Sequence, residues 1–272
     1  MFWRFQFKED PAMRPLLVPV APHLQLCLPL TLLLLCTGAS AGKRSLDDGS
    51  LHQLWSTPVT LVEASGDAQE LTTKLKEKLL EMASTLPDDS KSNVGGWQST
   101  GTNLLHSEPK FFSAALKLCQ DAITSHLKQS ISGGGQVVAK VAASWANVNP
   151  GGAYNRMHTH PQSDLSGVLY VSCPGDAACG IELVDPRPMA SAQRSESLHQ
   201  SLDFGVDKGL RMKEGDVIVF PSWLSHWVPP HWDELERISI AFNAEIDFRP
   251  GDEPLQVRFR DGRESGGSKA EL

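Results

Sequence analysis

From residue 136 onward the chain is written as short runs rich in β-branched and aromatic residues, at about 136–148, 166–172, 180–184, 217–220 and 237–246. Gly and Pro stand between the runs and end them, the one for want of a side chain, the other for want of an amide hydrogen. Short strands in close succession, with no helical spacing between them, satisfy their backbones by pairing with one another. The pattern therefore predicts one antiparallel, barrel-like sheet system over about 136–248. Two helical stretches precede it. Between Asp67 and Leu86 apolar residues recur at Leu71, Leu75, Leu79, Met82 and Leu86, and Pro87 stops them. A second helix starts at Ser107-Glu108-Pro109, runs to about Ile131 with Phe112, Ala115, Leu116, Cys119, Ile123 and Leu127 on its buried stripe, and is ended by Gly133-Gly134-Gly135. The helices, about 67–86 and 107–131, are expected to pack outside the barrel, which makes the fold class mainly β with flanking helices (α+β). A first strand is expected at 54–62, with Pro58 marking an edge. The long polar stretch 186–210 reads as a loop of the functional kind.

The ends carry addresses rather than fold. Residues 24–36 read LQLCLPLTLLLLC, and Ala39-Ser40-Ala41 follows as a small-x-small cleavage site, so 1–41 is expected to be a signal peptide. A retained signal anchor is the alternative, against which Pro29 and the shortness of the run argue. Residues 42–53 are polar and loose, 54–248 form the domain, and 249–272 a polar tail. That tail ends Lys269-Ala270-Glu271-Leu272, one residue away from the K-D-E-L retention address. The expected compartment is the lumen of the endoplasmic reticulum, with membrane contact only if the signal segment stays. Net charge is −7 and no long basic block occurs, which speaks against nucleic acid as a partner. Cys173 and Cys179 bracket a turn-like stretch and could bridge in an oxidising lumen, although spacing leaves the pairing open. Cys119 reads as a buried small hydrophobe.

Within the barrel the chemistry gathers at His158-Thr159-His160, at Gly215-x5-Pro221-x4-His226, and at Arg237-Ile238-Ser239, eleven residues further on. Two His separated by one residue on an extended segment point to one face, and a His from a distant strand can close a metal site around them. Imidazole suits Fe(II), Zn(II), Cu and Ni. Asp164 is the alternative to His160 if its loop folds back. A buried Arg can hold a carboxylate with two parallel bonds, and Ser239, two residues along the same strand, faces the same way. Tyr170 is a further candidate contact for the same acid. Trp223, Trp227 and Trp232 are expected to wall the pocket, and His231 to lie behind the site or at the surface.

Taken together, Trp145-Ala146-Asn147-Val148-Asn149-Pro150-Gly151-Gly152-Ala153-Tyr154-Asn155, His158-Thr159-His160-Pro161, Ser166-Gly167-Val168-Leu169-Tyr170-Val171, Asp185-Pro186-Arg187, Phe220-Pro221-Ser222-Trp223-Leu224-Ser225-His226 and Arg237-Ile238-Ser239-Ile240-Ala241-Phe242-Asn243 resemble the 2-oxoglutarate/Fe(II)-dependent oxygenase family, and more distantly the prolyl hydroxylases. Leu54-Trp55-Ser56-Thr57-Pro58-Val59 and Gly95-Gly96-Trp97-Gln98-Ser99 extend the likeness to about 50–248. The resemblance implies a double-stranded β-helix (a jelly-roll or cupin-like barrel). It implies Fe(II) held by His158, His160 and His226, 2-oxoglutarate held by Arg237, Ser239 and Tyr170, and a dioxygenase that uses O2 to hydroxylate a C–H bond with release of succinate and CO2. His160 stands where the family's pattern has Asp. The substrate, a protein, peptide or small molecule, is not identified by any motif. Two rivals share the barrel. The His158 and His226 motifs also resemble those of cupins, metal-binding enzymes that need no oxoglutarate, and a non-catalytic binding barrel would need neither.

Overall fold

The computed structural model describes residues 56–260 apart from 65, 67, 102, 176–178 and 188–207. Of the chain's two compact units, Met1–Gln53 and Leu54–Leu272, only the second contains described residues. The expected signal segment, the retention-like ending, residues 54–55 of the expected first strand and most of the 186–210 loop lie outside them; of that strand only Thr60–Val62 is formed, since 56–59 are not strand. Among the described residues, no helix is long and apolar enough to cross a membrane.

Among the described residues three helices precede the strand Gly134–Asn149: α1 (Ala68–Thr85), α2 (Leu104–Ser107) and α3 (Pro109–Ser130). The long two are amphipathic. α1 buries Leu75 and Leu79, and α3 buries Phe112, Ala115, Cys119, Ala122, Ile123 and Leu127, spacings that keep one face inward. α3 begins with Pro109, whose missing amide hydrogen costs nothing in a first turn.

Among the described residues twelve strands make two sheets. They are β1 (Thr60–Val62), β2 (Asn93–Val94), β3 (Trp97–Gln98), β4 (Gly134–Asn149), β5 (Tyr154–His158), β6 (Leu165–Ser172), β7 (Gly180–Leu183), β8 (Lys208–Arg211), β9 (Val217–Pro221), β10 (His226–Val228), β11 (Arg237–Gly251) and β12 (Gln256–Phe259). The larger sheet runs β1-β9-β6-β11-β4-β12, with β3 also on β4, and the smaller runs β2-β5-β10-β7-β8. This is the mainly β, antiparallel barrel with few helices that the sequence predicts, in the double-stranded β-helix arrangement. Its spine is the β4–β11 ladder, which continues from Arg237↔Asn149 to Gly251↔Gly134 with one register shift after Asn243. α1 and α3 bury their stripes on the outer face of the larger sheet, in one core with Val137, Val148, Leu169, Val219, Ile240 and Phe242. β6 and β9 are therefore buried on both faces, which is why they read as continuous apolar runs rather than alternating ones. A smaller core of Tyr170, Ile181, Leu183, Met212, Ile218, Phe220 and Leu224 lies toward the other sheet. Cys173 and Cys179 form a disulfide that ties the end of β6 to the start of β7.

The structure corrects two boundaries. Gly134 and Gly135 belong to β4 rather than to a helix stop. A Cβ on Gly134 would lie 1.9 Å from the Glu253 carbonyl oxygen, and Gly135 has φ +138°, so glycine is required where the chain returns past the strand. The tail expected from 249 is ordered at its start. β11 continues to Gly251, and β12 pairs parallel with β4, turning Val257 and Phe259 onto the main core. The four-residue alternation Gln256-Val257-Arg258-Phe259 was the available signal, and it is too short to stand out.

Candidate metal centre and adjoining cavities

β5 ends at His158 and β10 begins at His226, and the antiparallel register sets these two residues directly opposite each other. Opposed residues on one face are the closest side-chain neighbours a sheet offers, and the two ring centroids are 4.3 Å apart. His160 lies two residues beyond His158 and shares its face. Its N–H donates to the Ser222 carbonyl at 2.9 Å, which carries its ring to 4.9 Å from that of His158 and 5.1 Å from that of His226. One ring nitrogen of each lies within 4.8 Å of the others.

The rings are prepared as ligands. His158 Nδ1 is 2.6 Å from the Arg156 carbonyl oxygen, and His226 Nδ1 is 2.8 Å from that of Leu224. A carbonyl has no hydrogen to give, so each Nδ1 carries the proton and each Nε2 the free lone pair. Burial pushes all three imidazoles toward the neutral form. It takes His160 down to about 3, helped by His226 and His158, and His226 to about 4 despite its bond to the Leu224 backbone, and it lowers His158 as well. Neutral imidazole is the ligating form, so the donor set fits a divalent transition metal. Asp164 does not join it. Its Oδ2 accepts the Ile246 N–H at 2.7 Å and its backbone N–H donates to the Ala244 carbonyl, so the residue fastens the middle of β11.

A small cavity of about 40 Å³ is lined by all three His together with Tyr170, Ser239, Asn147, Asn155 and Trp145. The register Asn147↔Ser239↔Tyr170 lays those three in one row across β4, β11 and β6. Arg237 is two residues from Ser239 and buried, yet it lines neither cavity. Its Nη1 donates to the Pro229 carbonyl at 2.9 Å and its Nη2 to that of Ala153 at 3.3 Å. Burial raises the pKa of Tyr170 and lowers that of Arg237, and each group opposes the other's shift, as a guanidinium beside a phenol should. A second, open cavity of about 480 Å³ shares Ser92, Trp145, His158 and His160 with the first and adds Lys91, Gln98, Arg156, Met157 and Asn243.

The expected tryptophan wall is elsewhere. Trp223 is 56% and Trp232 83% exposed, and neither they nor Trp227 line either of these two cavities. Trp232 instead lies over Gly152 in the β4–β5 turn. Trp145 does the work assigned to them, its ring 5.5 Å from that of His160. His231 is buried behind the turn, with Nε2 donating to the Asn149 carbonyl at 3.0 Å. The asparagines are the larger omission. Asn93 donates to Asn149 at 2.7 Å, Asn149 to Asn155 at 3.3 Å, and Gly96 leaves the room for this contact, since a Cβ there would lie 2.2 Å from Asn149 Oδ1. The alternation Trp145-x-Asn147-x-Asn149 in an apolar strand was the sign of a polar inward face.

Residues 143–243 match the family model described as "Putative 2OG-Fe(II) oxygenase". No curated protein matches the sequence. Among solved structures the chain is similar to the non-heme alpha-ketoglutarate-dependent epimerase SnoN of nogalamycin biosynthesis (TM-score 0.51, 9% identity, covering 71% of this chain and 82% of that one). It is also similar to a Pseudomonas putida prolyl-4-hydroxylase (0.45, 16%, 72% and 94%). A third is HygX from Streptomyces hygroscopicus, solved with nickel and 2-oxoglutarate bound (0.47, 13%, 70% and 83%). At such identities the likeness concerns the fold. Residues 143–243 thus resemble that family, on a double-stranded β-helix barrel whose histidine cluster could hold a metal ion.

Proposed function

We propose that the chain is an Fe(II)/2-oxoglutarate-dependent dioxygenase that hydroxylates a C–H bond of its substrate and turns 2-oxoglutarate into succinate and CO2. The observation that carries this reading is the convergence of three neutral imidazoles on a cavity that Tyr170 and Ser239 also line, all within the segment that matches the family. His158, His160 and His226 would hold the iron, the first and last through Nε2. Bound iron supplies the oxidising chemistry that couples dioxygen to decarboxylation of the keto acid. The chain's own residues do the rest. The Ser239 and Tyr170 hydroxyls can donate to the far carboxylate of 2-oxoglutarate, and Arg237 beside them supplies the compensating charge, which acts strongly because it is buried. Trp145 packs on the His160 ring and Phe220 on the His226 ring, which gives the centre apolar neighbours on those sides. The open cavity receives the substrate, a protein, peptide or small molecule. The functional unit is 54–248 with β12 added.

Anaerobic calorimetry tests this. With Fe(II) present, 2-oxoglutarate should bind; without it, binding should vanish, and His226→Ala should lose both. Metal uptake with no oxoglutarate binding would favour the cupin reading, and uptake of neither a binding barrel. We place the protein in the lumen of the endoplasmic reticulum, a reading supported by the apolar run before Ala41, by the terminal Lys269-Ala270-Glu271-Leu272 and by the Cys173–Cys179 bridge, since disulfides persist in oxidising compartments. The mature N-terminus should lie near Gly42, and removal of 269–272 should release the protein to the medium. Cytosolic protein retaining 1–41 would sink that reading.

A further inference from the structure

The open cavity carries charge of one sign. Lys91 and Arg156 line it, and no carboxylate among the described residues does. The Arg156 N–H donates to the Ser92 carbonyl at 2.9 Å, so Lys91, next to Ser92, comes to the same rim. Arg156 forms no ion pair among the described residues, and Lys91 has only Asp89, whose carboxylate is 4.0 Å away with both side chains exposed. This local positive field stands in a chain whose net charge is −7. The floor is His158 and His160, with Trp145 and Met157 as apolar walls. Three neutral imidazoles would cancel none of a divalent ion's charge, so a loaded centre would strengthen the same field.

We propose that the substrate is anionic, with a carboxylate gripped at the rim by Lys91 and Arg156 while the carbon to be oxidised lies over His158 and His160. The proposal rests on the oxygenase reading and makes Lys91 and Arg156 specificity-determining residues. An acidic side chain of a polypeptide and a free small acid present the same chemistry, and the test separates them. Three decapeptides alternating Ala with Glu, Gln or Lys, each with an uncharged fluorescent label, are titrated with the full chain loaded with Ni(II) and 2-oxoglutarate. Binding is read by anisotropy, and N-acetylglutamate serves as the small acid.

The Glu peptide should bind about tenfold or more tighter than the Gln peptide, with the Lys peptide weakest, and added salt should narrow the gap, as for exposed charges. The double variant Lys91→Glu, Arg156→Glu should reverse the order. Binding of N-acetylglutamate with the same charge dependence, without the peptide, keeps the proposal and assigns it a small acid. Equal binding of Glu and Gln peptides, a Glu preference that survives the reversal, or no binding by any probe overturns it. Calorimetry with Ni(II) and 2-oxoglutarate on the same proteins separates the two readings. If neither binds the wild type while the charge preference persists, the oxygenase reading falls and the anion site stands. If both bind and the preference is absent, only the anion proposal falls.

Discussion

The two sheets of this barrel divide labour. The larger one is held from both sides: α1 and α3 cover its outer face, its inner face looks into the barrel, and all of β9 and most of β6 are buried. The smaller one has little of this. β2 has two residues, β10 three, and β5 leaves Arg156 and Met157 exposed. Yet the smaller sheet presents His158 and His226 face to face. Polar ligands need a rigid frame and a pocket, but they must not compete with a close-packed apolar core, where an unpaired polar group is costly. Placing them on the sheet with the smaller core, hung from the long β4–β11 ladder at one end, meets both demands.

If the division is real, the two regions should be separable by mutation, and the largest effect should be on the scaffold. Phe112 is fully buried in α3, and Phe112→Ala should lower unfolding stability by about 3–5 kcal/mol. Fe(II) affinity of the folded fraction should stay as in the wild type; a parallel loss of metal binding would show that the sheets are not independent. Arg237→Ala tests the junction between them. Losing a buried charge partner should weaken 2-oxoglutarate binding on the order of a hundredfold, close to 3 kcal/mol, with Arg237→Lys between and iron affinity retained. A drop in stability alone, with oxoglutarate bound as tightly as before, would make Arg237 a clamp on the Pro229 and Ala153 carbonyls and nothing more.

His160→Asp sharpens the comparison inside the smaller region. If His160 is a ligand, a carboxylate at the same place should keep Fe(II) affinity within about tenfold, and oxoglutarate binding should survive. If instead metal content is unchanged in His160→Ala, the residue only lines the cavity. The smallest effect concerns His126, buried in α3 with Nδ1 3.0 Å from Thr60 Oγ1. Burial lowers its pKa from the ordinary 6.5, so the unfolded chain takes up the proton first as pH falls. Its contribution to stability is therefore complete above about pH 6.5 and lost progressively below it. His126→Asn should lose less stability than the wild type between pH 7 and 5 in denaturant titrations, and an identical pH slope would refute the assignment.

What the sequence determined by itself was everything with a local period. Leu75 and Leu79, and Phe112 through Leu127, recur at helical spacing and are found on buried helix faces. The apolar runs of β6, β9 and β11 are strands, and His158 and His160, two apart, converge on one site. What only the tertiary structure decided was what depends on which segments meet. The register that opposes His226 to His158, the parallel pairing of β12, the bonding of Asp164 to β11 and the arrival of Lys91 beside Arg156 all join residues that the chain order keeps apart. The three tryptophans near His226 in sequence looked like its wall because proximity along the chain was the only measure to hand. Strand alternation and the turns between strands send Trp223 and Trp232 outward and bring in Trp145, from a strand about eighty residues away, because pairing across a sheet and not distance along the chain sets which side chains can touch.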